Sequence, residues 1–159
     1  MQKQVFALLR ITLGFIFLWA FFDKLLGLGF ATTPEKAWLA GGSPTLGYLK
    51  FGTHGPFAGT FQTLAGNVMV DWLFMLGLLG VGAAFVLGIA LRFAALGGGL
   101  MMILMWLSAF PPKNNPLIDE HIIYLLVLLS IGRVETGNVL GLGKWWAKTS
   151  IAKNYPILR

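Results

Sequence analysis

The order of apolar and polar positions divides the chain into long apolar stretches separated by polar turns. A helix needs about 20 predominantly apolar residues to cross a bilayer. Four stretches approach that length, and they cover approximately residues 5–28, 70–91, 93–110 and 117–132. The last two are short and predict spans with little tilt. The pattern therefore predicts an all-α membrane protein built as a bundle of four transmembrane helices.

One longer connection, residues 29–67, joins the first two stretches. It is rich in Gly, Pro, Thr and aromatic residues, yet it is too apolar for a disordered linker. Within it, Phe57, Phe61 and Leu64 have helical spacing. We expect these residues to form a lid of short interfacial helices over one end of the bundle. The length of the chain predicts a single domain, residues 1–159.

Composition supports a membrane protein and narrows its chemistry. The chain is 57% hydrophobic and 11% charged, whereas a soluble domain is about 25% charged. It contains no cysteine, which excludes disulfides, thiolate nucleophiles and cysteine-ligated metal clusters. Its two histidines, His54 and His121, are too far apart in sequence for metal-ligand spacing, so we expect no metal. A redox role would then need a diffusible or non-covalently held cofactor.

The charged residues are distributed unevenly along the chain. The net charge is +6, but no basic face interleaved with aromatic residues appears, so we expect no nucleic-acid partner. One group of loops and ends carries Lys3, Arg10, Arg92, Arg133, Lys144, Lys148, Lys153 and Arg159, with Glu135 as its only acid. The positive-inside rule then predicts a multi-pass protein with both termini in the cytoplasm.

Residues 133–159 form a basic tail in this topology. Trp145, Trp146 and the lysines around them predict an amphipathic anchor on membrane lipid, and a solvated tail is the alternative. We expect Arg10, one turn inside the first span, to extend to the cytoplasmic headgroups. Frequent glycines in the spans predict close packing between helices.

Polar groups cluster at the other, extracytoplasmic end. Ionisable groups at a membrane boundary are costly to desolvate, and they mark functional sites. The group comprises Asp23 and Lys24 at the end of the first span, Asp71 at the start of the second, Lys113, Asn114 and Asn115 after the third, and Asp119, Glu120 and His121 at the start of the fourth. These residues predict a polar mouth.

His121 is the main candidate for chemistry, because a histidine exchanges protons near neutral pH and a neighbouring carboxylate orients its ring. Asp119 or Asp23 would provide that carboxylate. A histidine bonded to a backbone carbonyl is the alternative. Glu120 suits a helix N-terminus and needs no further role.

Binding candidates surround this histidine in the predicted mouth. Lys24 would hold an anion or a quinone oxygen, or pair with Asp23, Asp71 or Asp119. Asn114 and Asn115 either donate to an oxyanion or quinone carbonyl, or form the turn before Pro116. His54, on the lid, is a second proton-carrier candidate or a loop residue. The candidate site residues are therefore the catalytic candidates His121, Asp119 and Asp23 and the binding candidates Lys24, Asn114, Asn115, Asp71 and His54.

Four short motifs resemble DoxX/DoxD-type membrane proteins. They are residues 9–14 with Trp19 and Asp23-Lys24, residues 88–92, residues 115–124 with their Asn-Pro-x-x-Asp-x-His pattern, and residues 141–146. The resemblance implies a four-helix membrane protein in the plasma membrane of a prokaryote. In this family a DoxD-type subunit belongs to thiosulfate:quinone oxidoreductase, which oxidises thiosulfate to tetrathionate and reduces a membrane quinone. The resemblance further implies a diffusible membrane quinone as electron acceptor and a second subunit, of DoxA type or another redox type.

Three functions follow as hypotheses. The first is a membrane subunit of a quinone-linked sulfur-compound oxidoreductase, with its site at the extracytoplasmic mouth. The second is a non-catalytic scaffold or binding subunit of a redox or oxidative-stress complex. The third is a small-solute transporter. The sequence leaves the oligomeric state open, a homo-oligomer included.

Overall fold

The computed structural model describes residues 2–158, which form helices and connecting turns and contain no strand. The α-helices are α1 (Gln2–Leu26), α2 (Ala58–Gln62), α3 (Val68–Leu87), α4 (Leu91–Ser108), α5 (Glu120–Arg133), α6 (Gly143–Trp146) and α7 (Ser150–Asn154). Short 3-10 turns occur at Pro34–Lys36, Trp38–Ala40 and Pro156–Leu158, and a π-helical turn occurs at Tyr48–Gly52.

Three of these helices are long and apolar enough to cross a membrane. They are α1 with 25 residues, α3 with 20 and α4 with 18. The fourth predicted span is different, because α5 has only 14 residues and begins at Glu120 rather than Leu117. At 1.5 Å per residue it is about 21 Å long, less than the roughly 30 Å hydrocarbon core. The all-helical prediction and three membrane-length helices are confirmed, and a bundle of four spanning helices is not.

The long helices pack in chain order, α1 against α3, α3 against α4 and α4 against α5. Each pair is antiparallel, since Gly14 lies beside Phe85 and Leu18 beside Gly82, Gly77 lies beside Met101, and Gly98 lies beside Leu128. The four helices share one apolar core, whose fully enclosed members include Met75, Phe85, Leu128 and Ile131.

The boundaries of α3 show how local chemistry sets helix ends. Asn67 caps its start, accepting hydrogen bonds from the N–H groups of Met69 and Val70. Gly88 ends it in the left-handed conformation, with φ of 73°. The helix therefore ends at Leu87. The sequence predicted its end four residues later, at residue 91, because the apolar run continues through the turn after the helix.

The antiparallel order gives the bundle two ends. We call the end that carries Leu26, Val68, Ser108 and Glu120 the lid end, because residues 29–67 (the lid) lie there. We call the opposite end, which carries Leu87, Leu91 and Arg133, the tail end. The lid consists of short helical turns and α2 joined by loops, and it is hydrogen-bonded to α1, α3 and α4.

Candidate functional site

The lid end holds Asp119 and His121, the closest pair of titratable side chains among residues 2–158. His121 Nδ1 lies 2.9 Å from Asp119 Oδ2, the only ion-pair distance found in that part of the chain. Both side chains are mostly buried, with exposed fractions of 16% and 15%. Asp119 thus contacts the imidazole directly, as the sequence predicted for one of its two candidate carboxylates.

The local fold brings this pair together. Asp119 is the residue that caps α5, and its Oδ1 accepts hydrogen bonds from the N–H groups of His121 at 3.0 Å and Ile122 at 3.4 Å. One carboxylate oxygen therefore caps the helix while the other holds the imidazole. The capping geometry positions the carboxylate and leaves it little rotational freedom.

This arrangement leaves the second ring nitrogen of His121 for exchange. With Nδ1 donating to the carboxylate, a neutral imidazole presents its lone pair at Nε2. Within residues 2–158, Nε2 has no hydrogen-bond partner, and it is not among the enclosed unpartnered atoms. The geometry can accept a proton at Nε2 from outside and return it there.

Asn115 and Asn114 lie in the turn that precedes the pair. Asn115 Oδ1 accepts hydrogen bonds from the N–H groups of Leu117 at 2.9 Å and Ile118 at 3.0 Å, so it forms the turn before α5. The side chain of Asn114 is exposed. Between the two alternatives for Asn115, the contacts favour the turn-forming one.

Asp23 has a different set of contacts from the one predicted. Its side chain is 2% exposed, and its two oxygens accept hydrogen bonds from Phe30 N at 3.2 Å and Ala31 N at 3.0 Å. No hydrogen bond or ion pair joins it to His121 in the described part of the chain. Asp23 therefore holds the first turn of the lid onto α1, and Asp119 alone orients the imidazole.

Asp71 is likewise committed to the lid. It is 4% exposed, and its Oδ1 accepts hydrogen bonds from Ser43 Oγ at 2.9 Å, Thr45 Oγ1 at 2.6 Å and Thr45 N at 3.1 Å. These donors satisfy a buried carboxylate without a cation. Asp71 therefore holds the lid onto α3, and its proposed part in ligand binding stays a prediction.

His54 and Ser108 join the lid to the end of α4. The N–H of His54 donates to the Ser108 carbonyl at 3.1 Å, and His54 Nε2 lies 3.1 Å from the Pro111 carbonyl. Tyr48 donates its hydroxyl to Ser108 Oγ at 2.8 Å, since Ser108 Oγ donates to Met105. His54 is thus bonded within a loop, which was the alternative to proton transfer.

Lys24 is half-buried at the end of α1 and forms no ion pair within residues 2–158. The predicted pairing with Asp23, Asp71 or Asp119 is therefore not found, because the first two carboxylates are occupied by lid donors and the third by His121. The charge of neighbouring Asp23 acts on Lys24 without an ion-pair contact, so the ammonium hydrogens are not committed to a carboxylate.

The predicted position of the Arg10 side chain was wrong. Its side chain is fully buried instead of extending to the headgroups. Nη2 donates to the carbonyls of Leu140 at 2.8 Å and Val139 at 3.2 Å, whereas Nε and Nη1 have no partner among the described residues. Nη1 lies against Gly88 and Gly141, and a β-carbon added to either glycine would clash with it. Arg10 therefore anchors the segment after α5 to the tail end.

The chain was compared with known protein families, curated proteins and solved structures. No protein-family model, curated protein or solved structure matches this chain. The resemblance to DoxX/DoxD-type proteins stays a hypothesis, and the site must be interpreted from its own geometry.

Proposed function

We propose that this chain is the membrane subunit of a quinone-linked sulfur-compound oxidoreductase of the thiosulfate:quinone type. In this proposal Asp119 and His121 deliver protons to the quinone at the lid end. The supporting observation is the 2.9 Å contact between His121 Nδ1 and Asp119 Oδ2, in a chain with few ionisable groups. The sulfur substrate rests on the family resemblance alone.

The stoichiometry of the reaction explains why a proton donor is needed. Oxidation of two thiosulfates to one tetrathionate releases two electrons and no proton. Reduction of a quinone to a quinol consumes two electrons and two protons. A proton relay must therefore connect the quinone to water, and a positioned imidazole serves this role well. Lys24, which forms no ion pair within residues 2–158, is the proposed anion-binding group.

Paired substitutions at the start of α5 test the relay. His121→Gln removes the titrating group, and Asp119→Asn removes the carboxylate while keeping a good helix cap. Loss of a positioned proton donor should lower thiosulfate-dependent reduction of a soluble quinone about a hundredfold. The assay uses membranes containing the full chain with its DoxA-type partner, at matched protein levels.

Glu120→Gln is the matched control, because Glu120 lies between the pair in sequence but is exposed and forms no ion pair. It should retain at least half of the activity. Equal activity in all three variants would rule out proton delivery by this pair.

The non-catalytic scaffold remains the second candidate, and a specific observation favours it. Asp23, Asp71 and Ser108, which are the buried polar side chains of the lid end on α1, α3 and α4, all hold the lid. A protein whose buried polar groups fix the lid in place is suited to present that lid as a surface for a partner protein. Pull-down from native membranes separates the two functions, since a scaffold should retain its partners after both Asp119→Asn and His121→Gln.

A further inference from the structure

A groove of about 430 Å³ lies between α4 and α5 at the tail end, far from Asp119 and His121. Small residues bring the two helices together there, and a β-carbon added to Gly132 would lie 2.6 Å from Ala95 Cβ. The groove is lined by Arg92, Ala95, Leu96, Leu129, Gly132, Arg133, Pro156 and Ile157. Its volume falls within the range of small-molecule sites.

The polar part of this groove carries positive charge, and none of residues 2–158 supplies a counter-ion to it. Arg92 and Arg133 are exposed, and neither lies within 4.0 Å of a carboxylate in residues 2–158. Glu135, two residues after Arg133, forms no ion pair in the same part of the chain. Arg92 also lies in the first turn of α4, where the helix dipole opposes a cation. A bound anion would neutralise the charge of the two arginines and would interact favourably with the N-terminal end of α4.

The remainder of the groove is apolar and continues onto an exposed face of α4. Leu96 is 54% exposed and forms part of the lining. Phe93 and Leu100, 59% and 58% exposed, share its face at helical spacing. These side chains belong to a helix of membrane-spanning length. An occupant of the groove therefore contacts guanidinium groups at one end and a long hydrocarbon surface at the other.

We propose that this groove binds one anionic phospholipid. Its phosphate lies between the guanidinium groups of Arg92 and Arg133, and an acyl chain follows Leu96 and Leu129. Guanidinium groups bind phosphate through paired N–H donors, which an ammonium cannot supply. The positive-inside rule predicts the tail end in the cytoplasmic leaflet, where anionic lipids are enriched.

Charge alone fits a free phosphate as well, but the apolar lining fits only the lipid. A free phosphate gains nothing from Leu96, Leu129 and the exposed face of α4. A second copy of this chain would present another basic surface to the two arginines. The charge and the apolar contacts together therefore favour an anionic lipid.

The test measures retained lipid by native mass spectrometry of the full chain. Protein is extracted in a neutral detergent with equal amounts of phosphatidylglycerol and phosphatidylcholine. We expect the wild type to retain phosphatidylglycerol selectively, and Arg92→Gln with Arg133→Gln to lower that retention about thirtyfold, the loss expected for two cations near an anionic lipid. The control is Lys36→Gln with Lys113→Gln, which removes the same charge from two exposed lysines at the lid end and should leave retention within about threefold.

Two further arms identify the source of the phosphate. Leu96→Gln should lower retention of phosphatidylglycerol without changing the affinity for inorganic phosphate. Binding of inorganic phosphate as strong as that of the lipid would overturn the proposal in favour of a free anion. Equal losses in the arginine and lysine variants, or no loss in either, would also overturn it. So would a change from dimer to monomer mass in the arginine variant, which would assign the groove to a second copy.

Discussion

At the scale of single residues, Arg10 shows how a cation is accommodated inside an apolar bundle without an acid. Its Nη2 donates hydrogen bonds to the backbone carbonyls of Val139 and Leu140. Its guanidinium also lies against Gly88, the residue that follows the C-terminal end of α3. The carboxyl end of a helix carries partial negative charge, which favours a neighbouring cation. The positive charge is therefore balanced by peptide groups from two separate segments.

Replacement of Arg10 should release the segment after α5 rather than unfold the bundle. Arg10→Met removes both side-chain bonds to this segment, in which Leu140 adopts a left-handed φ of 51°. Loss of even about 1.5 kcal/mol, the lower value for a hydrogen bond to a charged group, raises the open population about tenfold. Tryptic cleavage at Lys144 and Lys148 should accelerate by that factor.

Lys3→Met is the matched control for Arg10→Met, because it removes an exposed cation from the same helix. Its cleavage rate should equal that of the wild type. Equal rates in the two variants would show that Arg10 does not hold the segment.

Sequence distance explains which residue contacts could be predicted. Asp119 and His121 are two positions apart, and helix capping brings them together, so the pair follows from local chemistry. Arg10 bonds to carbonyls 129 and 130 positions away, and backbone acceptors leave no mark in a sequence. Asp23 and Asp71 were visible as acids at helix ends, but their donors lie in loops without a recognisable pattern.

At the scale of helices, the glycines of the long helices fall into distinct classes. A β-carbon added to Gly82 would lie 2.8 Å from Leu18 N, and one added to Gly14 would lie 2.8 Å from Val86 N. Gly80 and Gly97 have nothing within 4 Å of such a carbon. The sequence predicted close packing at the glycines of the spans in general, whereas the structure brings α1 and α3 into backbone contact at Gly14 and Gly82 and leaves Gly80 and Gly97 open.

Alanine substitutions in α3 should therefore change stability in opposite directions. Gly82→Ala forces α1 and α3 apart and should lower the free energy of unfolding by about 1–3 kcal/mol, the usual cost of overpacking. Gly80→Ala meets no neighbour and should raise it by about 0.5–1 kcal/mol through helix propensity. Denaturant unfolding of both variants in one detergent measures the difference. Changes of the same sign would contradict the assigned crossing point.

The apolar runs located the long helices but not their ends. Hydropathy does not distinguish a helix from an apolar turn, so the predicted second span continued past Gly88 and the fourth included residues 117–119. In the structure, Gly88 ends α3, and Asp119 caps α5 after a turn closed by Asn115. Side-chain caps and a left-handed glycine decide those boundaries.

At the scale of the whole molecule, each membrane-length helix is tied to the lid by one buried polar residue. Asp23 belongs to α1, Asp71 to α3 and Ser108 to α4, with exposed fractions of 2%, 4% and 1%. The lid therefore closes over three helix ends at once. The sequence predicted a lid at this end, and it predicted a ligand site where the structure has these ties.

Removal of one tie should loosen the lid while the helices stay packed. Asp71→Ala leaves the donors of Ser43 and Thr45 without their acceptor. Loss of about 1.5–3 kcal/mol should accelerate amide hydrogen exchange in residues 43–52 about tenfold or more, without a change in α4. Glu35→Ala, an exposed acid on the same lid, should leave exchange unaltered. Faster exchange throughout both regions would instead indicate global destabilisation.

The burial of Arg10 has a consequence for biosynthesis. The helix that carries it leaves the ribosome before its acceptors at Val139 and Leu140, which are made about 130 residues later. At roughly 5–20 residues per second, that interval lasts on the order of ten seconds. During this time the nascent helix carries a guanidinium that the folded protein encloses. A chain without Val139 and Leu140 offers Arg10 neither carbonyl, so the burial of this cation depends on a segment made much later.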